Sequence, residues 1–60
     1  MPPLPSKGEI LILIKHYEGE AIRFNAEMHR EQDEGGRQYA TDMYNECRRL
    51  ILAWKAELDK

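Results

Sequence analysis

Apolar residues step along the first half of the chain as Ile10, Ile14, Tyr17, Ala21, Phe24 and Met28, at intervals of four, three, four, three and four. An α-helix turns about 100° per residue, so these intervals put all six side chains on one stripe. A strand cannot do this, because its side chains alternate between faces with a period of two. A second stripe follows as Ala40, Met43, Cys47, Leu50 and Trp54, with Tyr44, Ile51 and Leu58 on its flank. Between the stripes Arg30, Glu31, Gln32, Asp33 and Glu34 are all polar, and Gly35-Gly36 comes next. Two amphipathic segments joined by a short glycine-containing link predict an all-α fold, an antiparallel two-helix hairpin.

Local signals set the expected boundaries. Ser6-Lys7-Gly8-Glu9 has the S-x-x-E form of a capping box, in which the serine hydroxyl accepts from the Glu9 N–H and the Glu9 carboxylate reaches back to Ser6. The first helix is therefore expected over about 7–32. Glycine readily supplies the left-handed residue that ends a helix, so the turn is expected near 35–36 and the second helix over about 37–58. Residues 1–6 hold three prolines and form an extended arm ahead of a helical unit over 7–60. Pro2-Pro3-Leu4-Pro5 has the composition of a polyproline ligand for a WW-type groove, but a plain lead-in to the helix is the expected role. Folding at the glycines sets Met28 by Ala40, Phe24 by Met43 and Tyr44, and Ala21 by Cys47. It also sets Tyr17 by Leu50 and Ile51, and Ile14 by Trp54.

The seam does not absorb all the apolar content. Ile10, Leu11, Ile12, Leu13 and Ile14 cover every side of the first helix for more than a turn, and Leu50, Ile51, Leu52, Ala53 and Trp54 do the same on the second. One helix can cover only one stripe of its neighbour, and a helix apolar all round is normally buried on several sides. Burying a Leu or Ile contributes roughly 1.5–3 kcal/mol. Leaving four or five of them wet forfeits an amount comparable with the whole stability of a small domain, about 5–15 kcal/mol. The expected remedy is a homodimer forming a four-helix bundle, or insertion into a foreign target protein. The residues expected to make that contact are Leu11, Ile12, Leu13, Ile22, Leu52 and Trp54, with Tyr39 and Tyr44 as secondary anchors. Ile12, Gly19 and Ala26 recur every seven residues opposite the seam, where a neighbouring backbone could approach closely.

Size makes a partner more pressing. A 60-residue chain is marginal on its own, and small scaffolds usually add disulfides, a metal or another chain. Cys47 is the single cysteine, which rules out an intrachain disulfide. One Cys and two His do not make a four-ligand zinc site. His16 with Glu20, and His29 with Asp33, are spaced as two helical metal ligands, but exposed ion pairs and caps explain that common spacing. Glu27-Met28-His29 misses the Glu-x-x-His pattern of diiron bundles. No cofactor and no metal are expected.

A net charge of −2 gives no general pull toward nucleic acid or anionic membrane. The apolar run at 10–14 is far shorter than the roughly 20 residues that span a bilayer. It is also short for the core of a secretory signal, so a cytoplasmic protein is expected. A hairpin this small has little room for an enclosed pocket, there is no Gly-rich phosphate loop, and Cys47 falls on the seam. No enzymatic activity is expected. The expected function is that of a small regulator, inhibitor or adaptor that packs an apolar helical surface against another protein chain.

A nucleic-acid alternative rests on His16, Arg23 and Arg30, a seven-residue column that a dimer would double. The overall plan is similar to that of the Rop family of small plasmid RNA-binding hairpin proteins. The similarity lies in the architecture, and it implies a dimeric four-helix bundle that contacts RNA. The column Glu20, Glu27, Glu34 on the same helix weakens a basic field, and its acids are expected to pair with Arg37, Arg48 or Arg49 across the hairpin. A ribbon-helix-helix repressor would need a strand at residues 9–14, but that stretch lacks the apolar-polar alternation a DNA-reading ribbon requires.

Overall fold

The computed structural model describes residues 4–60. Helix α1 spans Lys7–Arg30 and helix α2 spans Glu34–Leu58, and they pack side by side as a hairpin. Leu4, Pro5 and Ser6 lead into α1 without regular structure, and the rest of the proline stretch lies outside the described residues. Residues 9–14 are helical, which removes the ribbon-helix-helix alternative.

Ser6 caps α1 in extended backbone, and its Oγ accepts from the Glu9 N–H at 3.2 Å. The Glu9 carboxylate closes the box through the serine hydroxyl, which donates to Oε1 at 3.3 Å, and not through the Ser6 N–H expected from the motif.

The turn is three residues long and sits earlier than the glycines. Glu31, Gln32 and Asp33 link the helices, and Gly35 and Gly36 lie inside the first turn of α2. No glycine among the described residues has a positive φ. The expectation of a left-handed glycine turn near 35–36 is thus corrected, and the reason is Asp33. An aspartate is among the strongest N-caps. Here its carboxylate accepts from the Gly36 N–H at 3.1 Å while its carbonyl accepts the first helical bond from Arg37 at 2.9 Å. Helix α2 therefore begins three residues before the predicted Arg37, and α1 ends two residues before 32. Glycine at 36 answers a close approach instead. A Cβ there would stand 2.7 Å from Glu31 Cγ, whose side chain folds back to accept from the Asp33 N–H at 3.3 Å. Asp33→Ala should lower the stability of the hairpin by about 1 kcal/mol, measured by urea unfolding, with the helices otherwise unchanged.

The core follows the two stripes. Ile10, Ile14, Ala21 and Phe24 of α1 and Ala40 and Cys47 of α2 are the buried apolar residues. Ala21, Phe24 and Cys47 form its centre, with Tyr17, Met43, Tyr44 and Ile51 packed around them. That cluster joins the levels expected from folding the stripes together, Ala21 with Cys47 and Phe24 with Met43 and Tyr44. The core is thin, however. Among the described residues only Ile10, Ile14 and Phe24 are large buried side chains, and no large side chain is wholly removed from solvent. The radius of gyration is 13.7 Å, against about 10 Å for a compact domain of this length. A rod two helices thick has one seam and leaves three sides of each helix wet.

Candidate functional site

Among the described residues six large apolar side chains stand exposed: Leu4, Leu11, Ile12, Ile22, Tyr39 and Leu52. Five of them belong to the expected contact set. The other expected residues, Leu13, Tyr44 and Trp54, are half-buried in the hairpin itself. Trp54 belongs to the second stripe, which explains its shielding.

The structure does not gather the eight residues into one patch. Ile22 and Leu52 wall a single groove between the helices, with Tyr44 and Ile51 beneath them. This groove has a volume of about 350 Å³ and lies open to solvent. Leu11 shares the Ile22 flank of α1, three turns nearer the open end. Ile12 is 70% exposed and points about 100° further round, away from α2. Tyr39 lies across the hairpin, edge-on to Phe24 with ring centroids 6.2 Å apart. Leu13 shares that side of α1 by helical geometry.

Of the charged residues on the groove rim, Glu18, Arg48 and Lys55, only Arg48 was singled out from the sequence, and as an ion-pair partner for the acids of α1. Glu18 reaches Lys55 across the helices at 4.0 Å, and Asn25 lies further along the same edge. Arg48 sits over the Tyr44 ring at 5.8 Å and donates to its hydroxyl at 3.3 Å. The signal was available, because Tyr44 and Ile51 recur seven apart, as do Arg48 and Lys55, and Leu11, Glu18 and Asn25. These columns flank the seam on one side.

The expected basic column fares differently. Arg23 pairs with Glu20 at 2.5 Å and lies 5.0 Å from the Phe24 ring centre. His16 packs edge-on to Tyr17 at 5.3 Å, and Arg30 borders a polar hollow shared with Glu27, Glu31 and Gln32. The cross-hairpin pairs expected for Glu20, Glu27 and Glu34 do not form among the described residues. Glu20 bonds Arg23, Arg49 bonds Glu46 within α2, and the pair between helices is Glu18–Lys55. A carboxylate one helical turn from an arginine is already within reach, so pairing across the seam is not needed.

Cys47 is 4% exposed, and its thiol is pushed above its ordinary value of 9.0, first by burial and then by the charges of Glu20 and Glu46. The folded state therefore resists losing this proton. Stability contributed by the neutral thiol is present below pH 9.0 and is lost as pH rises toward the raised value. Urea unfolding at a series of pH values should show an alkaline loss of stability that Cys47→Ala partly removes. Among the described residues, no three His, Cys, Asp or Glu side chains gather to hold a metal ion. Nor is any helix among them long and apolar enough to cross a membrane.

Gly19 lies mid-helix on the outer side of α1, and a Cβ built there meets nothing within 4 Å. In the isolated hairpin Gly19→Ala should raise stability by about 0.5–1 kcal/mol, through helix propensity alone. If a neighbouring backbone packs on the Gly19 and Ala26 stripe, the same methyl weakens association, which sedimentation would register.

Comparison of the chain with protein-family models, with curated proteins and with solved structures returned no match.

Proposed function

We propose that this chain is a small non-enzymatic protein-interaction module, a regulator, inhibitor or adaptor that works by packing one apolar face of its hairpin against another protein chain. One observation carries this reading. Ile22 and Leu52 are 73% and 65% exposed and wall the same groove, on a hairpin that among the described residues hides no large side chain completely. Scattered exposed aliphatics are ordinary on protein surfaces, but two that converge on a groove with a Tyr and an Ile below them resemble a docking surface. Each side chain covered by a partner adds roughly 1.5–3 kcal/mol that the lone hairpin lacks.

A second copy is one way to cover the face, and two hairpins docked together would make a four-helix bundle. A foreign helix is the other. The RNA-binding alternative draws less support, since Arg23 of its column is held by Glu20 and packed near Phe24. Sedimentation equilibrium over a wide concentration range, for the chain alone and with candidate partner chains, tests the module reading. A concentration-dependent or partner-dependent increase in mass is expected. A chain that stays monomeric and binds nothing through the groove contradicts it.

A further inference from the structure

The groove also carries information about what fills it. Helical geometry places Lys7 and Lys15 of α1 and Arg37, Arg48 and Lys55 of α2 on the groove side, all exposed. The carboxylates on that side are Glu18, Glu34 and Asp59, so five cations face three acids. The opposite side is reversed. Glu9, Glu20, Glu27, Asp42, Glu46 and Glu57 lie there against Arg23, Arg30, Arg49 and Lys60, so six acids face four cations. The chain as a whole is acidic, yet its apolar groove opens on its basic side.

Resting on the module reading above, we infer that the groove receives one amphipathic helix of a different protein, with apolar residues at i, i+3 or i+4 and i+7 and acidic residues on its flanks. The shape favours a helix, because the groove runs between two helices and an added helix completes a three-helix bundle. From Tyr44 to Lys55 it extends for about 16 Å, three helical turns. Apolar side chains of the guest would enter between Ile22 and Leu52, and its carboxylates would meet Lys15, Arg48 and Lys55. Charge argues against a second copy. Groove against groove opposes the same arginine and lysines, and like charges across an interface are unfavourable. A second copy offers complementary charge only through its acidic side, head to tail, and such a contact does not give a closed two-fold dimer.

The test uses two synthetic amphipathic peptides that are identical except for glutamate or lysine at the flanking positions. Binding to the full chain is measured by titration calorimetry, and the site is read from backbone amide shifts in NMR spectra. The glutamate peptide should bind about tenfold or more tighter at low salt, with the advantage shrinking as salt screens it, and should shift Ile22 and Leu52. Arg48→Glu with Lys55→Glu should reverse the order of the two peptides. Both side chains are exposed, so helical circular dichroism should be kept, and Lys15→Glu gives an independent variant should the double one unfold. Equal binding of the two peptides, a preference for the lysine peptide, or self-association through Ile22 and Leu52 that excludes both peptides would overturn the acidic-helix proposal and leave the module reading standing. No binding of either peptide by a monomeric chain would overturn both.

Discussion

Replacing Phe24 with alanine is expected to unfold most of the hairpin at room temperature. Phe24 is one of three large side chains buried in the seam, and it sits in the central cluster with Ala21 and Cys47. It also meets Tyr39 edge-on and lies beside the Arg23 guanidinium. Truncating a buried phenylalanine to alanine costs about 3–5 kcal/mol. A scaffold of this size rarely has more than about 3–5 kcal/mol to lose. The helical circular dichroism signal of Phe24→Ala should fall to a minor fraction of the parent's. Phe24→Leu keeps most of the apolar volume and should keep most of the signal. Equal signals for the parent and Phe24→Ala would mean that the seam is not what holds the helices together.

The second large effect concerns binding and should leave the fold alone. Ile22→Asp with Leu52→Asp places two carboxylates on the walls of the groove, where the side chains they replace make little contact with the rest of the hairpin. Helicity and the urea midpoint should change little, because exposed substitutions usually stay within about 0.5 kcal/mol. Association with any partner chain should be lost, since a buried unpaired charge on each wall is strongly unfavourable. A matched pair of substitutions on the outer side, Gly19→Asp with Ala26→Asp, should leave groove binding intact. Binding that survives the groove variant but not the outer one would move the contact to the Ile12, Gly19 and Ala26 side.

The heptad intervals made the hairpin legible because helical period and burial are tied by geometry. Ile10, Ile14, Ala21, Phe24, Ala40 and Cys47 all lie on the two stripes read from the sequence, and all are buried. The turn was misplaced because glycine was weighed as a conformational signal and Asp33 was not weighed as a cap. A carboxylate that satisfies an orphan N–H fixes where a helix starts more firmly than a flexible residue fixes where one stops. The candidate face was only partly legible. Counting apolar residues singled out Ile22 and Leu52 as contact candidates, but a count does not say how the 10–14 and 50–54 runs are distributed around the helices. In the folded chain those runs divide around the helices. Ile10 and Ile14 enter the seam, Leu11 turns to the groove flank, and Ile12 faces outward. The charge of the groove depends on which flank of α1 meets which flank of α2, a relation between columns that net composition hides.

Urea unfolding of the dilute purified chain, followed by helical circular dichroism with and without an excess of a chain that fills the groove, tests the central claim most directly. Alone, the hairpin should unfold at low urea with a stability below about 5 kcal/mol, and its midpoint should rise with the concentration of the added chain. The groove variant should show the low midpoint and no rise. A solitary, dilute monomer well above that stability, with a midpoint that no added chain moves, would contradict the account.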